Sequence, residues 1–161
     1  MKLTRKLIAL ILAIATLLTL ASCGATSGPP VEGEKATVVI DLGDDNYQVF
    51  EVKIADLTDK SQGAYSLLVY LKENRDMHLD IVESSYGAYV NSIGDLRPDA
   101  SKNEYIAIYT SVEADFQVPT ADFPDVPSLT YHEVLLKSSG VGISSMTVQD
   151  RTVILFRIES W

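Results

Sequence analysis

The chain has little of what catalytic and metal-binding proteins need. Its 161 residues include two histidines and one cysteine, and they contain no HExxH motif, no CxxC motif and no glycine-rich phosphate loop. Serines are plentiful, but none lies in the GxSxG setting of a nucleophile elbow. We therefore expect no enzymatic activity, no catalytic residue, no metal site and no resident cofactor.

Basic residues are also scarce. Thirteen Lys and Arg face 22 Asp and Glu, which gives a formal charge of −9. Three of the basic residues, Lys2, Arg5 and Lys6, lie at the start of the chain, and without them the formal charge falls from −9 to −12. Such an acidic surface excludes nucleic acid as a partner, because nucleic-acid binding needs basic patches. It would also be repelled by anionic lipid headgroups.

No hydrophobic run in the sequence is long enough to span a bilayer. The uncharged run from Leu7 to Leu20 has 14 residues, whereas a spanning helix needs about 20. The run follows the three basic residues and precedes small residues, which is the order of a secretory signal peptide. We therefore predict a signal peptide over residues 1–22, and export of the remainder.

The single cysteine lies where a bacterial lipoprotein would carry its lipid. Leu20, Ala21, Ser22 and Cys23 form a lipobox, after which the cysteine becomes the new N-terminus. A lone cysteine in an exported chain has no internal partner for a disulfide, and lipidation explains both its presence and its position. We predict acylation, palmitate included, at Cys23 and anchoring to the outer face of the bacterial cell membrane by two or three acyl chains.

A flexible tether would separate the lipid from the folded domain. Residues 23–36, with the sequence GATSGPPVEGEK at 24–35, are rich in Gly, Pro, Ser and charge and have almost nothing to bury. The folded domain is expected over residues 37–161.

The apolar pattern of this domain predicts an α+β fold. Period-two alternation begins at Val38 and resumes after Asp44 and Asp45, which indicates a β-hairpin. A stripe at helical spacing follows, with Ser61 as its expected cap, formed by Ala64, Leu67, Leu68 and Leu71. Further strands follow, a loop with three prolines lies at 116–128, and the last strand ends near Ser160. The order predicts a β-grasp-like mixed sheet of six or seven strands covered by one helix.

Two tyrosine-rich segments are the candidate binding surface. SSYGAYVNSIGDL at 84–96 combines ring faces with small residues, and EYIAIYTSV at 104–112 places Tyr105 and Tyr109 on one face if it is a strand. Ordinary strand tyrosines that pack in a half-buried sheet are an equally good interpretation. The predicted ligand-binding residues are Tyr86, Gly87, Tyr89, Asn91, Ser92, Gly94, Tyr105 and Tyr109.

The segments SLLVYLKENR, YGAYVNSIGDL, EYIAIYTSV and GVGISSMTVQDRTVILFRI together resemble a bacterial domain of unknown function. That domain is related to the C-terminal β-domain of transcobalamin and intrinsic factor. The resemblance covers residues 37–161 and implies the β-grasp-like fold. It also implies a cobamide, or another corrinoid, as a ligand rather than a cofactor, and a second protein that would complete the site.

Two functions therefore remain open at this point. One is a non-enzymatic module at the cell surface that binds a small ligand in a concave site. The other is an adhesion or protein-interaction module with no small-molecule ligand, which would use a flat patch or a free strand edge.

The lipid anchor can be tested by one substitution. Cys23→Ala removes the only thiol of the chain that could form the thioether, so unprocessed precursor should accumulate and acyl labelling should disappear. Metabolic labelling with palmitate measures this directly. A Cys23→Ala protein that still incorporates the label would contradict the lipoprotein assignment.

Overall fold

The computed structural model of the protein describes residues 33–84 and 87–161. The expected signal peptide, Cys23, most of the expected tether, and Tyr86 lie outside the described residues. Within the described part, no helix is both long enough and apolar enough to cross a membrane.

Eight strands and one α-helix make up the described fold. The helix, α1, spans Gly63–Arg75. The strands are β1 (Lys35–Asp41), β2 (Tyr47–Lys53), β3 (Leu79–Ser84), β4 (Gly87–Ile93), β5 (Glu104–Thr110), β6 (Ser128–Tyr131), β7 (Val134–Ser138) and β8 (Val153–Ser160). The predicted α+β class is confirmed. The first strand begins at Lys35, two residues before the predicted start of the domain at Thr37.

Six of the strands form one mixed sheet in the order β2-β1-β8-β5-β7-β6. In this sheet β1 and β8 run parallel, whereas the other neighbouring pairs are antiparallel. The predicted mixed sheet with one covering helix is therefore present. β3 and β4 pair with each other in a separate two-stranded sheet, so the first tyrosine segment does not join the large sheet.

The helix packs against one face of the large sheet. Its predicted stripe is at most 1% exposed and consists of Ala64, Leu67, Leu68 and Leu71. The same core contains Ile154 and Phe156 of β8 together with Val90 and Ile93 of β4. The helix and the small sheet thus share one core with the large sheet, and burial of each large apolar side chain there contributes about 1.5–3 kcal/mol.

The ends of α1 differ in part from the prediction. Ser61 was expected as the N-cap, and this was wrong: the cap position is Gln62, and its side chain makes no capping bond. Ser61 lies instead in a 3-10 turn, Lys60–Gln62, where its amide donates to Asp59 Oδ1 at 2.8 Å. The helix ends at Arg75, because Asp76 adopts a left-handed φ of 51°.

The opposite face of the large sheet is concave. A second apolar cluster fills it, with Val39, Leu155, Tyr109, Leu136 and Tyr131 among its members. Although β2 and β6 are the two edge strands, the rings of Tyr47 on β2 and Tyr131 on β6 lie 5.3 Å apart in an edge-to-face contact. The sheet therefore curls until side chains of its two edges meet over the second cluster.

A charge placed in the helix stripe should unfold the domain. Leu68 is 0% exposed, whereas Leu135 on β7 is 52% exposed and serves as a matched control. Leu68→Asp should lower the free energy of unfolding by at least about 3 kcal/mol, because it removes a packed side chain and buries an unpaired carboxylate. Leu135→Asp should cost less than about 1 kcal/mol. Chemical denaturation measures both, and equal midpoints for Leu68→Asp and the wild type would show that the stripe is not core.

Candidate functional site

Tyr105 and Tyr109 share one face of β5, as their spacing predicted, and both reach the same carboxylate. The Tyr109 hydroxyl donates to Glu159 Oε1 at 2.5 Å, and the Tyr105 hydroxyl donates to Glu159 Oε2 at 3.3 Å. Tyr105 lies directly opposite Glu159 in the β5–β8 register. The sheet therefore brings together two tyrosines that are close in sequence and an acid that lies 50 and 54 residues away from them.

The two tyrosines differ in what they can offer a ligand. Tyr109 is 3% exposed, so it belongs to the packed concave face. Burial raises the pKa of the Tyr109 hydroxyl, and the hydrogen bond to Glu159 and the charge of Glu159 raise it further. Tyr105 is half-buried, and the pKa of its hydroxyl is raised mainly by burial and then by Glu159. Both hydroxyls therefore stay protonated at neutral pH and hold the Glu159 carboxylate in place.

Two exposed aromatic residues, Trp161 and Tyr89, lie near Tyr105. The Trp161 ring lies 5.1 Å from the Tyr105 ring, centroid to centroid, at an interplanar angle of 31°, and Trp161 is 80% exposed. Tyr89 on β4 is 50% exposed and lies close enough to Tyr105 to contribute to the raised pKa of its hydroxyl. We call Tyr89, Tyr105 and Trp161 the aromatic rim. The sequence predicted the two tyrosines, but it gave no signal for Trp161.

Arg157 lies beside this rim, between two carboxylates. Its Nε is 3.6 Å from Glu159 Oε1, and its Nη1 is 3.7 Å from Asp41 Oδ2. Both separations exceed hydrogen-bonding distance, and the buried Nε has no hydrogen-bond partner among the described residues. The guanidinium therefore balances the charge of Glu159 and Asp41 without fixing their orientation, and the tyrosine hydroxyls do that for Glu159.

Three further predicted site residues of the first tyrosine segment make hydrogen bonds within the domain. Asn91 donates to Asp80 at 3.3 Å, and Ser92 is buried with its hydroxyl 2.7 Å from His78 Nε2. The Gly94 amide donates to His78 O at 2.9 Å, and its carbonyl accepts from Arg97 Nη1 at 2.7 Å. The Ser92 hydroxyl and the Gly94 amide and carbonyl therefore all have partners within the domain. Gly87 begins β4 with a φ of 106°, and Tyr86 lies outside the described residues.

Gly94 has a physical reason to be glycine. It has a φ of 53°, and an added Cβ would lie 2.5 Å from Ile40 Cδ1 and 2.8 Å from Gln48 Oε1. The left-handed conformation and the close packing both favour a residue without a side chain. Gly94 therefore allows both the turn after β4 and its close packing against Ile40 and Gln48.

An opening lies along the other edge of β5. In the described part of the chain, the β5–β7 ladder covers two residue pairs, Tyr109 with Ser138 and Thr110 with Lys137. One further bond, from the Ser139 amide to Ile108 O at 2.8 Å, extends it. Beyond that point the chain after β7 turns away, because Phe116 pairs with Ser139 instead and Gln117 donates to Ser138 O at 2.9 Å.

The direction of the β5 backbone groups follows from two hydrogen bonds. The Ser111 amide donates to Val153 O at 3.0 Å, toward β8, whereas Ile108 O accepts from Ser139, away from β8. Main-chain groups of successive residues point to opposite sides of a strand. The amide and carbonyl of Ile106 therefore point away from β8, into the opening, where no described strand pairs with them.

A groove of about 420 Å³ occupies this opening. Its floor includes Ile106, whose side chain packs in the core beneath the helix, so the groove contacts this residue through its main chain. The far wall comes from the proline-rich loop, through Phe123, Asp125 and Pro127, and Tyr105 and Glu159 line the rim side. We call this space the β5 groove. The loop with three prolines that the sequence predicts at 116–128 thus lies along the groove.

The sequence matches no family model and no curated protein. A Ruminococcus gnavus ATCC 29149 protein that has been proposed to bind metal is similar at 16% identity over 80% of this chain and 98% of that one, with a TM-score of 0.48. Haptocorrin in complex with Cbi is similar at 12% identity over 87% of this chain, with a TM-score of 0.49. This chain spans 29% of the haptocorrin chain. Neither likeness assigns a family, a site residue or a ligand to this chain.

The raised pKa of Tyr109 predicts a loss of stability in alkali. The folded state holds this proton more tightly than the unfolded chain, in which the pKa is close to 10.0. The contribution of the hydroxyl is therefore full below about pH 10 and is lost progressively above it. The melting temperature should fall between about pH 8 and about pH 11, and it should fall further for the wild type than for Tyr109→Phe, which has no phenol proton at this position to lose.

The exposed Tyr89 provides the control for this measurement. Tyr89→Phe also removes one phenol but should keep the alkaline loss of the wild type. An identical loss in Tyr109→Phe and the wild type would show that the Tyr109–Glu159 bond is not linked to folding.

Proposed function

We propose that the mature protein is a lipoprotein, anchored to the outer face of the bacterial membrane through acylated Cys23, that binds a small ligand in the β5 groove without acting on it. The observation that carries the proposal is the unpaired Ile106 main chain on the floor of the groove, next to the aromatic rim. The ligand class that suits this site has a ring face and amide groups.

The groove supplies directional contacts to such a ligand. A backbone amide and carbonyl that have no strand partner must otherwise be satisfied by water or by a bound molecule. A ligand amide can donate to Ile106 O and accept from Ile106 N–H, as a neighbouring strand would. The volume of about 420 Å³ lies within the usual range for small-molecule sites, which combine apolar walls with a few polar groups.

The aromatic rim supplies the contact to a ring. Trp161 is exposed and its ring contacts that of Tyr105, which lines the groove, so a ring face is available beside the groove. Each aromatic pair contributes about 0.5–1.5 kcal/mol beyond burial. The groove is open to water on one side, so we expect micromolar affinity or weaker for the chain alone. A second protein that closes over the ligand would raise this affinity.

Cobamides are the first candidates to test. They combine a planar macrocycle with peripheral amide groups, which is the chemistry that the groove and rim accept. The choice follows from the resemblance seen in the sequence and remains a proposal for this chain. A domain that faces a ligand at the cell surface would also need the tether that the sequence predicts between Cys23 and β1.

A protein-interaction module is the second candidate, and one observation favours it. The open edge of β5 is the kind of edge to which an extended segment of another protein can add as a strand. In that case the occupant would be a polypeptide, and corrinoids, haem and glycans would not compete for the groove.

Calorimetry with the purified mature chain, residues 23–161, tests the proposal. Cobalamin, cobinamide, haem and a glycan panel are titrated, and at least one ring-bearing ligand should bind. Trp161→Ala should weaken that binding about two- to tenfold, because it removes one stacking face. Val49→Ala, a change at an exposed position on β2, should leave it unchanged.

If no panel member binds, and Tyr89→Ala instead weakens attachment to a partner protein, the small-ligand function is wrong and the interaction module replaces it.

A further inference from the structure

The helix has a second, half-buried apolar face beside its fully buried stripe. Tyr65, Val69 and Tyr70 are each half-buried, and positions 65 and 69 are four apart, so they adjoin on the surface of α1. The fully buried stripe lies on another side of the helix. Tyr65 and Tyr70 pack against the core, and together with Val69 they also line a surface cavity. A surface helix normally carries polar residues on the side away from its core, and this face departs from that pattern.

The loop before the helix builds a wall beside this face. The hydroxyl of Ser66, on α1, donates to the carbonyl of Asp59. The Asp59 carboxylate accepts from Ser61 N at 2.8 Å, from Ser61 Oγ at 2.6 Å and from Gln62 Nε2 at 3.0 Å. The Ser66 bond holds the loop against the helix, and the Asp59 side-chain bonds order the loop itself. The loop and the helix together line a cavity of about 240 Å³.

All the formal charge in the cavity wall is negative. Asp59 and Glu73 line it, and among the described residues its lining contains no Lys, Arg or His. Hydrogen bonds from the Ser61 side chain and amide lower the pKa of Asp59, so Asp59 is ionised at neutral pH. Glu73 has no ion pair with any residue that the structure describes. A ligand whose charge complements that of the cavity is therefore a cation.

We propose that this cavity binds a small organic cation with an alkylammonium or quaternary ammonium head. Tyr65 and Tyr70 offer ring surface to the head group, Val69 contacts its methyl groups, and the carboxylates of Asp59 and Glu73 supply the opposite charge. Aromatic rings attract such cations through their negative faces, most strongly when the cation sheds water. The cavity is separate from the β5 groove and does not depend on the function proposed for that groove.

A metal ion fits this cavity poorly. Divalent cations require several oxygen ligands in a defined geometry, and the described residues contain no group of three or more His, Cys, Asp or Glu able to hold one. The Asp59 carboxylate already accepts three hydrogen bonds, from Ser61 and Gln62. The aromatic and aliphatic wall is suited to a weakly hydrated organic cation.

A pair of ligands of the same shape tests the proposal. Choline and its neutral isostere 3,3-dimethylbutan-1-ol are titrated into the full mature chain, with NMR shifts or calorimetry as the readout. Choline should bind saturably, at least about tenfold more tightly than the neutral compound, and added salt should weaken it because the partly exposed charges are screened.

Four variants locate the site. Tyr70→Phe keeps the ring and should retain choline binding, whereas Tyr70→Leu should weaken it about tenfold. Glu73→Gln should weaken it several-fold, and its matched control Glu113→Gln, at an exposed position elsewhere, should not. If Tyr70→Leu fails to fold, the comparison of Glu73→Gln with Glu113→Gln still shows whether choline binds at this cavity.

Three outcomes would overturn the proposal. These are no saturable binding of choline, equal binding of the neutral isostere, and equal weakening by Glu73→Gln and Glu113→Gln. Trp161→Ala should leave choline binding unchanged, so failure at this cavity and failure at the β5 groove are distinguishable.

Discussion

The burial of β8 on both faces is the constraint on which the rest of the structure depends. Ile154, Leu155 and Phe156 are each 0% exposed, and β8 pairs with β1 in parallel and with β5 antiparallel. Burying three such side chains contributes several kcal/mol, at about 1.5–3 kcal/mol each. The helix and small sheet cover one face of this strand, and the curled edge strands cover the other. The end of β8 carries Glu159, and Trp161, which follows the last residue of the strand, belongs to the aromatic rim.

The candidate site arises where the regular sheet stops. β5 is paired along its length with β8, but β7 follows it for a short distance and then turns toward Gln117. The segment that could have filled the gap carries Pro124 and Pro127, which have no amide to donate to Ile106. The proline-rich loop therefore walls the groove without closing it. On the other side of the groove lies Glu159, whose carboxylate accepts hydrogen bonds from the hydroxyls of Tyr105 and Tyr109.

Local periodicity was enough to predict the helix stripe, the alternation of β8 and the shared face of Tyr105 and Tyr109, because each depends on residues close in sequence. Glu159 and the open main chain of Ile106 depend on which distant strands pair, and no local pattern contains that information. The surroundings of Gly94 depend on distant residues in the same way, because it packs close to Ile40 and donates its amide to His78 O.

The central claim is that the Ile106 main chain is open in the free protein and becomes paired by a ligand. Residue-resolved amide hydrogen exchange on β5 tests it most directly. The account predicts strong protection at Tyr105, Ala107 and Tyr109, whose amides face β8, and weak protection at Ile106, which rises when the groove is saturated with a ligand. Protection of Ile106 equal to that of Ala107 in the free protein would contradict it.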